Sequence, residues 1–410
     1  MNFSISKLLR SALVKQLVMP LAALLLAACG GGGGTAAAPA APAAAKITLM
    51  GGAMQGAPLG LASASAVVST FAGSGVSGFA DGTGTAATFN SPGNTTTDGT
   101  NLYVTDSGNN TIRKIVIATG AVTTLAGQAG VSGATDGTGT AATFNYPHGI
   151  TTDGTNLYVA DTSNYKIRQI VIATGVVSSL TGVANTAGGM GATDGTGAAA
   201  TFNYPYGITT DGTNLYVADY SNNKIRKIVI ATGVVSSVTG TANTVGVAGA
   251  ADGAGAAATF NSPDGITTDG TKLYVADQVN NKIRQIVIAT GVVSSLTGVA
   301  NTAGAAGATD GAAAAATFSY HSGKFYIPSG LTTDGTNLYV VDGGNYKIRQ
   351  IVIATGVVSS LTGVANTGST AGATDGAAAG ALFYYPADIT TDGSSLYVVD
   401  QGNNKIRKIQ

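Results

Sequence analysis

Cysteine and histidine, the side chains most often used for nucleophilic, acid–base and zinc chemistry, are scarce in this 410-residue sequence. The chain has one cysteine, Cys29, and two histidines, His148 and His321. A single cysteine cannot form a disulfide framework or a thiolate zinc site, and two histidines leave little material for a histidine-rich metal site. We therefore predict neither a bound metal nor a cofactor.

All 20 acidic residues are aspartates, and all but two of them occupy three positions that recur six times along the chain. One set precedes a glycine of a long loop, one starts a tight turn and one ends an apolar run. An aspartate before a glycine in a turn typically caps its own backbone, so we assign these sets to the architecture. Only Asp264 and Asp388 fall outside the pattern. In the order given, the sets are Asp81, Asp136, Asp194, Asp252, Asp310 and Asp375; Asp98, Asp153, Asp211, Asp269, Asp334 and Asp392; and Asp106, Asp161, Asp219, Asp277, Asp342 and Asp400.

The basic residues follow the same repeat, and one arginine recurs in each copy. We predict that each arginine pairs with the last aspartate of its copy or with neighbouring carbonyl groups. Acid–base catalysis requires titratable groups in unlike environments, whereas nearly every charged group here has equivalents in other copies. The pattern therefore favours no catalytic residue. The arginines are Arg113, Arg168, Arg226, Arg284, Arg349 and Arg407.

The glycine-rich long loops raise the alternative of calcium binding. Calcium requires roughly six to eight oxygen ligands. Each loop offers one carboxylate and lacks the alternating acids of a calcium loop. We therefore expect these loops to be structural.

The recurring unit centres on Leu-Tyr-Val-x-Asp, and Ile-Arg follows six residues after the Asp. Successive copies are 55, 58, 58, 65 and 58 residues apart, a regularity that indicates a repeat architecture. In the second copy, four runs of β-forming residues are separated by turns, the first of which is Asp153-Gly154-Thr155-Asn156. Four antiparallel strands repeated six times predict an all-β protein, a six-bladed β-propeller with four-stranded antiparallel blades.

The two ends of the repeat region complement each other. The last copy stops at Gln410 without a fourth strand, whereas the run from Ala66 to Gly73 matches the fourth strand of the second copy, from Gly175 to Gly182. Pairing these ends would close the ring and remove an exposed sheet edge. We therefore predict a propeller over residues 66–410 in which the N-terminal strand completes the last blade.

The second copy also resembles the NHL repeat. The resemblance covers about residues 66–410 and implies the propeller fold. It does not determine the function, because NHL-type proteins include ligand-binding, RNA-binding, sensor and lyase proteins. NHL-type amidating lyases hold zinc with several histidines, and this chain has two. The resemblance rests on Pro147-x-Gly149-Ile150, Asp153-Gly154, Leu157-Tyr158-Val159-Ala160-Asp161, Asn164 and Lys166-Ile167-Arg168.

Residues 1–28 have the features of a secretory signal, with a positive start and an apolar run from Leu17 to Ala28. They end in Leu26-Ala27-Ala28-Cys29, which resembles the lipobox of bacterial lipoproteins; the alternative is an ordinary secretory signal. The resemblance implies cleavage before Cys29 and a lipid on its sulfur, which would anchor the protein to a membrane of the bacterial cell envelope. Gly30 after the cysteine favours the outer membrane. Residues 29–65 are predicted to be a lipidated tether rich in Gly, Ala and Pro.

The six copies differ from one another mainly at one end of the predicted strands. The residues after the crossover proline would lie around the mouth of the central channel, and those after the strand-ending aspartate would lie farther out. The blade-five crossover is seven residues longer than its neighbours and adds His321, Lys324 and Tyr326. The first set is Gly93, His148, Tyr206, Asp264, Ser329 and Ala387, and the second set is Ser107, Thr162, Tyr220, Gln278, Gly343 and Gln401.

These differences predict a binding module whose ligand is a protein, a peptide or a glycan of the cell envelope. The net charge is zero and charged residues make up only 10% of the chain, so we expect no nucleic-acid partner. Three alternatives stay open: a propeller lyase or hydrolase that uses His148 and Asp264, a structural envelope protein, and neutral variation at exposed loops. The candidate ligand contacts are His148, Tyr206, Asp264, Ser329, Tyr220, His321, Lys324 and Tyr326.

Overall fold

The computed structural model describes residues 49–50, 53–54, 58–318 and 328–410. The predicted signal and Cys29 lie outside these residues, as do His321, Lys324 and Tyr326. No helix in the described parts is long and apolar enough to cross a membrane.

The described residues form a small hairpin and six larger antiparallel sheets. Five of these sheets are built from one repeat each, and the sixth combines the last repeat with a strand from the start of the repeat region. The hairpin consists of β1 (Leu49–Met50) and β2 (Ala53–Met54), and β3 (Val67–Ala72) follows. Blade 1 contains β4 (Gly82–Thr83), β5 (Thr95–Thr97), β6 (Asn101–Asp106), β7 (Thr111–Val116) and β8 (Ala121–Ala126). Blade 2 contains β9 (Gly137–Thr138), β10 (Pro147–Thr152), β11 (Asn156–Asp161), β12 (Lys166–Val171) and β13 (Val176–Ser179). Blade 3 contains β14 (Gly195–Thr196), β15 (Pro205–Thr210), β16 (Asn214–Asp219), β17 (Lys224–Val229) and β18 (Val234–Ser237).

The remaining blades follow the same plan. Blade 4 contains β19 (Pro263–Thr268), β20 (Lys272–Asp277), β21 (Lys282–Val287) and β22 (Val293–Ser295). Blade 5 contains β23 (Pro328–Thr333), β24 (Asn337–Asp342), β25 (Lys347–Val352) and β26 (Val358–Ser360). Blade 6 contains β27 (Gly376–Ala377), β28 (Pro386–Thr391), β29 (Leu396–Asp400) and β30 (Lys405–Ile409). Short 3-10 helices lie in the connections at Gly84–Ala86, Ser107–Asn109, Gly139–Ala141, Thr162–Asn164, Gly197–Ala199, Tyr220–Asn222, Gly343–Asn345 and Gln401–Asn403.

The six sheets close into a ring, which confirms the predicted six-bladed propeller. The innermost strands β5, β10, β15, β19, β23 and β28 contact one another in chain order, and β28 contacts β5. The last blade is completed by β3, which pairs with β30 in the register Val68↔Ile409 and Ser69↔Lys408. The edge of β30 is thereby covered, as the match between the chain ends predicted.

The hydrophobic core lies between neighbouring blades. Tyr158 and Ile167 of blade 2, for example, pack with Phe202, Leu215 and Val217 of blade 3. Each middle strand is covered on both faces, which explains why β11 is buried along almost its whole length instead of alternating between buried and exposed residues.

A buried arginine ties each blade together. The Arg168 guanidinium donates to Asp161 Oδ2 at 2.9 Å and to Asp136 Oδ1 at 2.7 Å, and its Cζ lies 5.1 Å from the centre of the Phe144 ring. All six repeat arginines are fully buried and make both ion pairs, with distances of 2.5–2.9 Å. The predicted pairing of arginine with the strand-ending aspartate is therefore confirmed.

The turn aspartates divide into two kinds. Asp153 caps its own hairpin as predicted, since its Oδ1 accepts hydrogen bonds from the backbone N–H groups of Thr155 and Asn156 at 2.8 and 2.7 Å. The long-loop aspartates do something else: Asp136 accepts hydrogen bonds from Arg168 and from the Ser179 hydroxyl of the fourth strand. The carboxylates of the long loops therefore bind side chains of their own blades.

Candidate ligand site at the channel mouth

The start of each innermost strand carries the variable residues to the mouth of the central channel. In blade 2, Pro147 lies opposite Asp161, and the strand register shifts between Pro147 and Ile150. His148 lies inside this irregular stretch. The neighbouring blade holds it in place, because the Ser107 hydroxyl donates to the Pro147 carbonyl oxygen at 2.6 Å. The variable residues are therefore displayed on a backbone that is fixed from two sides.

Glycines let the inner strands approach one another closely at this point. A Cβ atom on Gly149 would overlap the carbonyl oxygen of Tyr206, and one on Gly207 would overlap that of Asp264. The residue after each variable position is therefore glycine in blades 2 to 5 because the next backbone leaves no room for a side chain. Blade 6 carries Asp388 at this position.

An aromatic run crosses from blade 2 into blade 3. The His148 and Tyr206 rings stack with centroids 4.7 Å apart and 21° between their planes. The Tyr206 and Tyr220 rings follow with centroids 4.5 Å apart. All three residues are partly exposed, although the Nδ1 atom of His148 is buried, so the run forms part of the surface of the variable face.

Polar contacts continue this run into blade 4. The Tyr220 hydroxyl donates to Gln278 Oε1 at 3.0 Å, and Gln278 Nε2 donates to Asp264 Oδ2 at 3.0 Å. The structure thus brings together four of the candidate residues predicted from the sequence, with Gln278 as the link between two of them. We call this group the mouth site; it consists of His148, Tyr206, Tyr220, Gln278 and Asp264.

The other candidate residues predicted from the sequence are not part of the mouth site. Ser329 is buried at the mouth, and its hydroxyl donates to the Ala387 carbonyl oxygen at 2.8 Å, a contact that joins blades 5 and 6. Gly93 lies in a crowded position, where a Cβ atom would overlap the Ser107 hydroxyl and lie 3.4 Å from His148 Cδ2. The three candidates in the blade-five insertion are outside the described residues.

Asp388 was not among the candidate contacts, although its position outside the repeat pattern signalled it. Its side chain lies beside Gly330, and its Oδ2 accepts a hydrogen bond from the Thr95 backbone N–H at 2.7 Å. It lines a channel cavity of about 60 Å³ together with Asn94 and Thr95. The hydroxyl of Thr95 is buried and has no hydrogen-bond partner among the described residues.

Asp264 and Asp388, the two aspartates outside the repeat pattern, are buried without a positively charged partner among the described residues. Burial raises the pKa of Asp264 to about 7. Burial also raises the pKa of Asp388 to about 8; backbone hydrogen bonds from Thr95 and Ile389 oppose this rise, and the charge of Asp264 adds to it. No arginine or lysine of the described residues forms an ion pair with either carboxyl group.

His148 has a neutral environment. Burial of the ring lowers its pKa to about 4, and its Nδ1 atom has no partner among the described residues. The lyase alternative needs His148 to act as a base near Asp264. In the described structure no hydrogen bond joins them, and the Tyr206 and Tyr220 rings lie along the run that connects them.

Comparison with known proteins supports the fold and the repeat type. No family model matches the chain. NHL repeat-containing protein 2 of Bos taurus is 35% identical over 147 residues, which cover 33% of this chain and 20% of that protein. The protein of the same name from Gallus gallus is 28% identical over 315 residues, which cover 70% of this chain and 42% of that protein. The chain thus spans less than half the length of these curated relatives.

One solved structure extends the comparison. It is an auxiliary nutrient binding protein from Bacteroides thetaiotaomicron, with a TM-score of 0.57 and 16% sequence identity, and the match covers 84% of this chain and 76% of that one. At this identity the likeness shows the fold alone.

Proposed function

We propose that this chain, a six-bladed β-propeller with homology to NHL repeat-containing proteins, is a binding module whose ligand occupies the mouth site. The observation that carries the proposal is the continuous run of unlike side chains from His148 to Asp264. A rigid repeat scaffold that presents different residues at one face is the usual arrangement of a binding surface.

The charged residues of the repeat and the residues of the mouth site make different contacts, and this difference supports the assignment. The repeat arginines form ion pairs with repeat aspartates of their own blades, as the Arg168 contacts with Asp161 and Asp136 illustrate. The mouth site lies outside that network, and its aromatic rings remain partly exposed. Aromatic side chains beside a few polar groups are typical anchors in binding sites. The fold neighbour named as a nutrient binding protein is consistent with the same role here.

The proposal is tested with the purified chain and a panel of envelope proteins, peptides and glycans. A variant that combines His148→Ala, Tyr206→Ala and Asp264→Asn should lose at least tenfold in affinity for any ligand that the wild-type protein binds. Thr155→Ala is the matched control, because Thr155 is exposed in the hairpin turn at the other end of the strands. Unchanged binding by the triple variant would place the ligand elsewhere.

We also propose that the module is anchored in the bacterial cell envelope through a lipid on Cys29, with the outer membrane favoured. The lipobox-like sequence Leu26-Ala27-Ala28-Cys29 supports this location. Acyl chains contribute roughly 0.8 kcal/mol per buried CH₂ group, so two or more chains hold a protein on a membrane. Cys29→Ala should move the protein from the membrane fraction to the soluble fraction, and a variant that stays with the membrane would contradict lipidation.

A further inference from the structure

We propose that the mouth site recognises an organic cation, a ligand group with an ammonium nitrogen that lies against the Tyr220 ring beside the Asp264 carboxylate. This inference rests on the proposed function and names the chemical class of the ligand. It is supported by three independent features: the charge balance of the site, the arrangement of the rings and the polar channel next to Asp388.

The charge balance distinguishes Asp264 and Asp388 from the other aspartates. The long-loop and strand-ending sets form ion pairs with the repeat arginines, and the hairpin set accepts hydrogen bonds from its own turn, as Asp153 does. Among the described residues, Asp264 receives a neutral amide donor, Gln278 Nε2, and Asp388 receives backbone N–H groups. A buried carboxylate without a cationic partner is costly, and a cationic ligand would supply the missing charge.

The rings next to Asp264 suit the same kind of ligand. The face of a tyrosine ring attracts a cation within about 6 Å of its centre. Tyr220 packs on Tyr206 with centroids 4.5 Å apart and 39° between the planes, and Tyr206 in turn stacks on His148 at 4.7 Å. Tyr220, at the end of this run and partly exposed, is therefore the ring left to receive a ligand. Burial raises the hydroxyl pKa of Tyr206 and of Tyr220, and the charge of Asp264 adds to the rise in both.

The channel beside Asp388 adds a second source of negative potential. Thr95 stands at the position that is isoleucine or leucine in the other five blades, and its buried hydroxyl has no partner among the described residues. Asp388, Thr95 and Asn94 therefore make one wall of the channel polar. Blades 2 to 5 place glycine at the position of Asn94 and Asp388, and isoleucine or leucine at the position of Thr95. An unpartnered oxygen and a carboxylate in one small cavity favour positive charge at the mouth.

Choline and its neutral carbon isostere, dimethylbutanol, test the inference with the full-length protein, because they share a shape and differ in charge. Binding is followed by the NMR shifts of the tyrosine rings at pH 8.5. Choline should bind at least tenfold more tightly than dimethylbutanol. Asp264→Asn should weaken choline binding about tenfold without affecting dimethylbutanol, and Asp388→Asn should weaken it less, because Asp388 acts at a distance.

Two further variants separate the rings from overall folding. Tyr220→Leu should weaken choline binding, because a leucine side chain has no π face, whereas Thr155→Ala should leave it unchanged. Thermal unfolding of each variant checks that it is folded. Equal binding of choline and dimethylbutanol, or choline binding that does not depend on Asp264, would overturn the inference. An envelope ligand that is neutral and depends on the mouth site would overturn the inference and leave the proposed function intact.

Discussion

The His148 and Tyr206 rings stack across the boundary between blades 2 and 3, with centroids 4.7 Å apart and 21° between their planes. This contact joins residues that occupy the same position in consecutive repeats, 58 residues apart. Stacking of two side chains from adjacent blades means that a ligand meets a combined surface, and no single repeat could supply it.

The stacked His148 ring should remain neutral under physiological conditions. Burial lowers its pKa to about 4, because the charged imidazolium would lose its hydration without gaining an acceptor at Nδ1. An NMR titration of a His321→Gln variant, in which His148 is the remaining histidine, should show no midpoint between pH 5.5 and 8. Tyr206→Ala should expose the ring and move the midpoint toward about 6.5. A wild-type midpoint near 6.5 would mean that the ring is solvated.

Binding of a permanent cation should depend on pH through Asp264. Burial raises the pKa of this carboxyl group to about 7, so it is mostly protonated at pH 6 and mostly ionised at pH 8. Choline carries a constant charge, and its affinity should therefore rise roughly tenfold over this interval. Asp388 lies within electrostatic range and should extend the rise to pH 8.5. Among the other groups that face the site, His148 is neutral throughout, and the pKa values of Tyr206 and Tyr220 are raised above their usual range.

That pH dependence is checked by calorimetry with wild type and Asp264→Asn. The variant should lose most of the rise, because the remaining titration belongs to Asp388. A flat profile for wild type would contradict an ionising carboxylate at the cation. A profile that is the same in both proteins would assign the titration to another group.

Asp388→Asn should stabilise the protein at high pH. The folded-state pKa of about 8 lies above the ordinary aspartate value of 3.8, so the folded state binds this proton more tightly than the unfolded state does. Wild-type stability therefore falls as pH rises from about 4 to 8, and the variant, which cannot ionise, avoids this loss. Urea unfolding should show equal stability near pH 4 and a gain on the order of a few kcal/mol for the variant at pH 9.

Asp153→Asn is the matched control with the opposite sign. Burial alone would raise the pKa of Asp153, but hydrogen bonds from Asn156, Tyr158 and Thr155 outweigh burial and lower it. Its charged form is thus stabilised by folding, and the variant should be less stable than wild type above pH 4. If both variants showed the same pH profile, the environment assigned to Asp388 would be wrong.

The two ion pairs of Arg168 should differ in energetic weight. Asp161 is fully buried, so Asp161→Asn leaves a buried guanidinium without its main counter-charge and should cost about 3 kcal/mol of unfolding free energy. The Asp136 side chain retains 19% exposure, and Asp136→Asn should cost about 1 kcal/mol because solvent screens that pair. Urea denaturation of both variants measures the difference. Equal costs would show that the guanidinium is held mainly by its carbonyl acceptors and by Phe144.

The fold could be predicted from the sequence because every blade repeats the same local sequence pattern. The Asp-Gly hairpin, the apolar second strand and the arginine of the third strand recur six times, and the run before Gly73 matches the strand missing from the last blade. The predicted closure needed no tertiary information, since β3 and β30 complete a pattern already seen in each of the other blades.

The site could be predicted only in part from the sequence, because its contacts join different repeats. Tyr220 and Gln278 occupy the same position in blades 3 and 4, and only the three-dimensional ring shows that their side chains are 3.0 Å apart. Asp388 was noticed as an exception to the repeat, but its role depends on its approach to Thr95 of blade 1, nearly 300 residues earlier. The sequence identified unlike residues and could not say which of them meet.

Tyr165→Asn should stabilise the junction between blades 2 and 3. Tyr165 has a φ angle of 55°, a left-handed conformation that a bulky residue adopts at a cost of about 1 kcal/mol or more. At the neighbouring junction the equivalent Asn110 tolerates this conformation, and its Oδ1 accepts the Tyr146 backbone N–H at 2.8 Å. The variant should gain this hydrogen bond to Tyr204. It should lose the edge contact of the Tyr165 and Tyr204 rings and the exposed hydrogen bond between their hydroxyl groups, for a net gain of roughly 0.5 kcal/mol.

The reciprocal variant Asn110→Tyr is the control and should be destabilising by about 1 kcal/mol or more, because it introduces the strain and removes the hydrogen bond. Urea unfolding of both variants measures the two effects. A gain in stability for Tyr165→Asn would show that the tyrosine is kept for something other than folding. Tyr165 and Tyr204 border the same face as the mouth site, so a loss of ligand affinity in this more stable variant would extend the binding surface outward from the channel. If Tyr165→Asn were destabilising, the ring contact with Tyr204 would instead account for the tyrosine.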